Sequence, residues 1–122
     1  MYSKDLTFKK LREANLDRLP QFRDKRGVIC HANSDGSDWS PSDWMTAVSG
    51  EVGELASEIK ALRRGDYAGI ERSFITKKVA HEAADIVIYL DLLVSQFGID
   101  LGEAITEKFN IVSERVHATT KL

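Results

Sequence analysis

Two long segments of this sequence carry apolar residues at steps of three and four, and this periodicity most constrains the fold. In residues 41–64 the stripe consists of Val48, Val52, Leu55, Ile59 and Leu62. In residues 73–97 it consists of Ile75, Val79, Ile86, Leu90, Leu93 and Phe97. The pattern predicts two amphipathic helices whose stripes pack together. No alternating apolar and polar run predicts a strand, so we expect an all-α fold.

Residues with capping chemistry mark the ends of these two helices. Ser40 and Asp43 form an acidic variant of the capping box around Pro41, a residue type favoured at the first helical position. Gly65 is expected to end this helix, and Gly98 to end the other.

Two shorter helices complete the expected bundle. The first covers about residues 5–19, and the fourth opens with a capping box of Asp100 and Glu103. Between the first and second helices, residues 20–39 are predicted to form a long loop, either a functional lid or a plain connector. We expect the whole chain, residues 1–122, to form a single domain.

The third helix is more apolar than one intramolecular contact requires. Its middle, ADIVIYLDLLV, is apolar almost all round, which is typical of a helix buried on more than one side. We therefore expect a homodimer or homotetramer in which oligomerisation completes the bundle.

Acidic residues lie directly beside both apolar stripes. Glu51, Glu54 and Glu58 stand at i, i+3 and i+7 on the second helix, and Glu82 and Asp85 at i and i+3 on the third. If the stripes pack together, these carboxylates meet at the margin of the seam. Clustered carboxylates repel one another unless a cation offsets them, and oxygen ligands of this kind suit Mg²⁺ or Mn²⁺.

The composition excludes some other classes. The chain has 17 Lys and Arg against 19 Asp and Glu, a net charge of −2, which disfavours a DNA- or RNA-binding role. Cys30 is the one cysteine, so no internal disulfide forms. No segment has the apolar length of a membrane span, and we expect a soluble, cytoplasmic protein.

The acidic pairs occur in an order that resembles a known family. Glu51-x-x-Glu54 lies in SGEVGELASEIK, Glu82-x-x-Asp85 precedes IVIYLDLL, and IDLGEAITEKFNIVSERV follows. Over about Leu6 to Val116 the chain is similar to MazG-type all-α nucleoside triphosphate pyrophosphohydrolases. It most resembles short phage-encoded members, in which case the compartment is the host cytoplasm.

The resemblance implies hydrolysis of a (deoxy)nucleoside triphosphate to the monophosphate and pyrophosphate. It implies Mg²⁺, with Mn²⁺ as a substitute, on Glu51, Glu54, Glu82 and Asp85, and Glu51 or Glu54 as the base that activates water. Phosphate contacts are expected from Lys108, Arg115 and Lys78. Glu58 is expected either to support the metal ligands or to pair with Lys60 or Arg63.

Contacts to the base or sugar are expected from residues around the start of the second helix and from polar residues elsewhere. These are Trp39, Trp44, Tyr89, Asn15 and Asn110. For Trp44 and Tyr89, a role in the core is the alternative.

These motifs do not fix the substrate. The MazZ-like phage members, which remove pyrophosphate from dGTP in the 2-aminoadenine pathway, favour dGTP or GTP. General house-cleaning and dCTP-type pyrophosphohydrolases are alternatives, and a helical interaction module is the non-enzymatic one. A di-iron bundle would need Glu-x-x-His pairs, and the second pair here ends in Asp85.

Overall fold

The computed structural model describes residues 5–122, and within that range the chain is all-helical, with no β-strand. The four α-helices are α1 (Phe8–Arg18), α2 (Pro41–Arg64), α3 (Arg72–Ser95) and α4 (Leu101–Arg115). A 3₁₀ turn, Leu19–Gln21, extends α1. The all-α prediction is confirmed. Among the described residues, none of the helices has the length and apolar character needed to cross a membrane.

The caps of α2 form as the sequence predicts. The Ser40 hydroxyl accepts from the Asp43 N–H at 3.2 Å, and the Asp43 carboxylate accepts from the Ser40 N–H at 2.9 Å. Gly65 ends the helix in the left-handed conformation, with φ of 84°. On α4, Asp100 accepts from the Glu103 N–H at 3.0 Å, which supplies one half of the predicted capping box.

The first helix begins later than predicted. Thr7 caps α1 by accepting from the Lys10 N–H at 3.1 Å, so the helix starts at Phe8. The chain does not leave helical geometry before Pro20, because the 3₁₀ turn carries it through the proline to Gln21. A proline in the first turn of a helical segment costs no hydrogen bond, and the predicted loop therefore begins at about residue 22.

The helices pack around a small core. Helices α2 and α3 lie side by side, α1 packs on α3, and α4 contacts α1. Leu19, Trp44 and Leu92 form the buried centre, with Phe22, Trp39, Tyr89 and Leu93 packed against it. This centre sits at the Trp44 end of the α2–α3 pair, so that end is rigidly supported.

A buried ion pair fastens α1 to α3. The Arg12 Nε lies 3.1 Å from both carboxylate oxygens of Asp91, which is almost completely buried. The Asn15 amide donates to the same carboxylate at 3.0 Å and to the Ile88 carbonyl at 3.2 Å. Arg12 also donates to the Ile99 carbonyl at 2.8 Å. No fully buried side-chain nitrogen or oxygen of this network lacks a hydrogen-bond partner, as burial requires.

The loop of residues 22–39 is ordered by contacts with the core. The Trp44 indole N–H donates to the Gly36 carbonyl at 3.0 Å, and the Gln96 amide donates to the Asp35 carbonyl at 2.8 Å. Nearer its start, the loop makes a tight turn in which the Asp24 carboxylate accepts from the Arg26 N–H at 2.8 Å. These bonds hold the loop over the ends of α2 and α3.

Several apolar side chains of the predicted stripes remain exposed. From the middle of α2 onward, Val52, Ile59 and Leu62 each keep more than two fifths of their surface exposed. On α4, Phe109 is 40% exposed and Val116 60%. The packing of stripe on stripe is thus complete only near Trp44.

Candidate functional site

Three of the predicted carboxylates converge between α2 and α3. Glu51 of α2 and Glu82 and Asp85 of α3 each present a potential ligand atom, and these atoms all lie within 4.8 Å of one another. We call these three residues the carboxylate trio. Residues 82 and 85 share one face of α3 because they are three apart, and the α2–α3 packing brings Glu51 opposite them. Glu54, one turn further along α2, lies beside both Glu51 and Glu82.

The electrostatics of the trio are unfavourable without a cation. Burial raises the pKa of Glu51, and the charges of Glu54 and Asp85 raise it further. Burial and the neighbouring Glu54 likewise raise the pKa of Glu82. One carboxylate oxygen of Glu51 and one of Glu82 are buried without a hydrogen-bond partner. A divalent cation would satisfy both oxygens and offset the repulsion, so the donor set fits Mg²⁺ or Mn²⁺.

Two members of the trio face a cavity of about 480 Å³. Glu51 and Asp85 belong to its wall, and the remainder is mainly aromatic and apolar, with Phe22, Trp39 and Tyr89 among the lining residues. A volume of this size holds a flat ring and part of a sugar. The site therefore combines a cation-seeking end with an aromatic end.

The aromatic end is built from the loop and the start of α2. The His31 ring stacks on Trp44 with centroids 5.3 Å apart and an angle of 8°, and Trp39 lies 4.7 Å from Trp44. Trp44 is completely buried, so it forms the floor of the cavity, in keeping with the core role that was its alternative. Trp39 is only half-buried and belongs to the cavity wall.

Tyr89 joins the two ends of the cavity. Its ring centroid lies 6.3 Å from that of Trp44. Burial raises the pKa of its hydroxyl, and the charges of Glu51 and Asp85 act in the same direction. The hydroxyl therefore stays protonated at neutral pH and is available as a hydrogen-bond donor beside the trio.

Glu58 and Lys78, both predicted at the site, are paired with each other. The Lys78 ammonium lies 3.3 Å from the Glu58 carboxylate, and the Tyr67 hydroxyl donates to the same carboxylate. These two contacts lower the pKa of Glu58, the Tyr67 bond contributing most. The pairing of Glu58 with Lys60 or Arg63 was wrong: its partners come from α3 and from the turn after α2.

Two predicted contact residues lie away from the cavity wall. The Asn15 amide is committed to Asp91 and the Ile88 carbonyl, and the residue is 3% exposed. Asn110 exchanges two hydrogen bonds with the backbone of Leu122, at 2.9 and 3.2 Å. Neither amide belongs to the lining of the cavity.

The two predicted cations of α4 also lie outside this lining. Lys108 sits in an apolar groove with Ile105, Phe109, Val112 and Val116. Arg115 is exposed at the last turn of α4. Within one copy of the chain, α4 packs against α1 rather than against the α2–α3 pair that carries the trio.

Sequence reasoning missed several residues of the cavity wall. They are Arg18, Leu19, Phe22, Cys30, Ile88 and Leu92. Arg18 stands out chemically, because it is the one Lys or Arg that the described residues place in this wall. No local pattern marks Arg18, since it ends α1 among other exposed charges and reaches the cavity only through the packing of α1 on α3.

Comparison of the sequence with protein-family models and with curated proteins gave no match. Any assignment of activity therefore depends on the site itself and on the motifs quoted above.

Proposed function

We propose that this protein hydrolyses a (deoxy)nucleoside triphosphate to the monophosphate and pyrophosphate with Mg²⁺. The observation that supports this most strongly is a carboxylate trio of which two members, Glu51 and Asp85, line an aromatic-walled cavity. A base fits the aromatic end, and a phosphate group then falls at the cation-seeking end. The order of the acidic pairs, which resembles the MazG-type family, supports the same reading.

The trio would hold the cation. Glu51, Glu82 and Asp85 supply hard oxygen ligands, and the two unpartnered oxygens of Glu51 and Glu82 are the natural coordinating atoms. A divalent ion bound there would supply positive charge and Lewis acidity at the phosphate. Without that charge, the carboxylates would repel the triphosphate.

The other roles in the reaction belong to side chains near the trio. Glu54 is exposed beside the trio and outside it, so we assign it the role of accepting a proton from the attacking water. Trp39 covers one face of the base, and stacking of this kind contributes about 1 to 3 kcal/mol without choosing the base. Tyr89 donates its hydroxyl proton toward the sugar or the adjacent phosphate.

We propose a guanine nucleotide, dGTP or GTP, as the preferred substrate. The support for this is the resemblance to MazZ-like phage members, together with a cavity large enough for a purine. Equal turnover of all bases would favour a general house-cleaning enzyme instead, and turnover of dCTP above the rest would favour the dCTP-type reading.

We further propose that a second copy of the chain covers the apolar groove of α4. Phe109 and Val116 together expose apolar surface in this groove, and such contiguous surface is typical of an interface. The predicted phosphate-binding Lys108 lies in the same groove. A copy seated there would bury the groove and place Lys108 at a subunit interface. In sedimentation velocity we expect an assembly larger than a monomer at micromolar concentration, with Phe109→Glu shifting it to monomer.

Ile111→Glu is the matched control for this assembly. Ile111 is 49% exposed on α4 but does not line the groove, so its substitution should leave the assembly intact. A wild-type monomer that is stably folded at these concentrations would contradict the proposed second copy.

The catalytic assignment is tested by Glu54→Gln, with Glu107→Gln as the control carboxylate on α4. We expect Glu54→Gln to lose at least about 100-fold in the rate of pyrophosphate release, the size of a general-base contribution. Helicity should be unchanged, and Glu107→Gln should keep full activity. Activity retained in Glu54→Gln would refute the role given to this residue.

A further inference from the structure

We infer that Arg18 binds the phosphate group nearest the sugar and retains the monophosphate product in the cavity. The inference rests on the proposed function, because it takes the cavity ligand to be a nucleotide. It assigns a substrate contact to α1, a helix that carries none of the acidic motifs.

The first support is the register of α1 on α3. Arg12 contacts Asp91 and the Ile99 carbonyl, whereas Asn15, one turn later, contacts Asp91 and the Ile88 carbonyl. Moving forward along α1 thus moves backward along α3, so the two helices are antiparallel. Arg18, a further turn on, falls beside the stretch of α3 that holds Asp85 and Ile88, and it shares the cavity wall with both.

The second support is the division of the cavity along α2. Trp44 precedes Glu51 by two turns, which is about 10 Å along a helix axis. The base end lies around Trp44 and Trp39, and the phosphate end lies around Glu51 and Asp85. Arg18 lies between the two ends, since the helix register sets it level with Asp85 while its guanidinium packs on Phe22, and this position suits the phosphate group nearest the sugar.

The third support is that the guanidinium is free and oriented. Its central carbon lies 5.3 Å from the centroid of the Phe22 ring, so one face is covered and the N–H edge is left for a ligand. Arg18 forms no ion pair within residues 5–122 and makes no hydrogen bond there through its side chain. An arginine of this kind matches the two-oxygen edge of a phosphate.

The test is equilibrium binding of product, which requires no turnover. Quenching of Trp fluorescence in the presence of Mg²⁺ would give the Kd of dGMP and of deoxyguanosine, with dCMP and deoxycytidine as a second pair. In Arg18→Gln we expect the Kd of the monophosphate to rise about 10- to 100-fold, the range for a hydrogen bond to a charged group. The Kd of the nucleoside should change by less than about threefold on the same reasoning, because the base end is untouched.

Two further variants test whether charge alone accounts for the role of Arg18. Arg18→Lys keeps the positive charge and loses the two-pronged guanidinium geometry. The Kd of the monophosphate should therefore rise less than in Arg18→Gln. Arg63→Gln removes a charge from the exposed last turn of α2 and should leave both Kd values unchanged. Circular dichroism of each variant should match that of wild type.

The outcomes separate this inference from the proposed function. Equal loss for the monophosphate and the nucleoside, or no loss for either, would overturn the role of Arg18. Wild-type protein that binds neither the monophosphate nor the nucleoside would overturn the role of Arg18, and the proposed function would still be decided by pyrophosphate release. Wild-type protein that binds dGMP through Arg18 but releases no pyrophosphate from any triphosphate would overturn the proposed function and leave the Arg18 contact standing.

Discussion

Substituting Gly36 with alanine places a methyl group where the loop meets the core. Gly36 has φ of 79°, and an added Cβ would lie 2.8 Å from the Cδ2 of Leu19 and 2.8 Å from the Cζ2 of Trp44. Both of those side chains are fully buried, so neither can move aside without disturbing the core. The substitution therefore combines a strained backbone with overpacking.

The two costs can be estimated separately. A left-handed conformation costs an alanine about 1 to 2 kcal/mol, and an extra methyl group in a packed core costs about 1 to 3 kcal/mol. We expect Gly36→Ala to lower the free energy of unfolding by about 2 to 5 kcal/mol. For a domain of this size, each kcal/mol corresponds to roughly 3 to 5 °C in Tm.

Gly27 provides a matched control. Its φ is 82°, yet a Cβ built on it has no atom within 4 Å. Gly27→Ala should therefore lower the free energy of unfolding only through backbone strain, by about 1 to 2 kcal/mol. Replacing glycine with alanine also restricts the unfolded chain, and this stabilising effect is equal in the two variants. Urea unfolding of the two variants and wild type measures the difference. Equal losses in the two variants would refute the close packing of the loop on Leu19 and Trp44.

Three other perturbations follow from the structure. Arg12→Met leaves the Asp91 carboxylate buried with Asn15 alone and should cost about 3 kcal/mol in urea unfolding; Arg12→Lys should cost less. Because the pKa values of Glu51 and Glu82 are raised above the ordinary 4.5, the folded metal-free protein binds more protons than the unfolded chain between 4.5 and the raised values. Its stability should fall as pH rises through that window, and Mg²⁺ should restore it. Nucleotide with Mg²⁺ should protect residues 22–39 from trypsin, since that segment borders the cavity.

Each of these expectations has a clear contrary result. If Arg12→Met were as stable as wild type, the ion pair would contribute nothing to the free energy of unfolding. For the pH effect, the quantity to compare is the free energy of unfolding as a function of pH in wild type and in Glu82→Gln. The comparison is needed because other groups, such as Glu58 with its lowered pKa, make stability rise with pH. An identical pH profile for the two proteins would contradict the raised pKa values, and unchanged cleavage by trypsin would favour a plain connector.

Local chemistry made the helix ends and the meeting of the carboxylates predictable. The caps at Ser40 and Gly65 depend on residues within one turn, and they form as expected. The convergence of Glu51 with Glu82 and Asp85 follows from their positions beside two stripes that pack together. The first inference uses capping chemistry and the second uses helical periodicity, and the sequence displays both directly.

Contacts between distant segments could not be predicted in this way. Asp91 interrupts an apolar run, and its partner Arg12 lies 79 residues earlier, so no periodic pattern joins them. The partners of Glu58 are Lys78 and Tyr67 rather than its neighbours on α2, because the packing of α3 on α2 brings Lys78 to it. Arg18 reaches the cavity for the same reason.

The most direct test of the whole account is a product assay on the wild-type protein with Mg²⁺ and each of the eight common NTPs and dNTPs. Pyrophosphate and orthophosphate would be measured separately, and the nucleotide product identified by chromatography. We expect pyrophosphate and the monophosphate in equal amounts, fastest from dGTP or GTP, and no product after removal of the metal by EDTA. Orthophosphate with a diphosphate product, or no product from any of the eight, would contradict it.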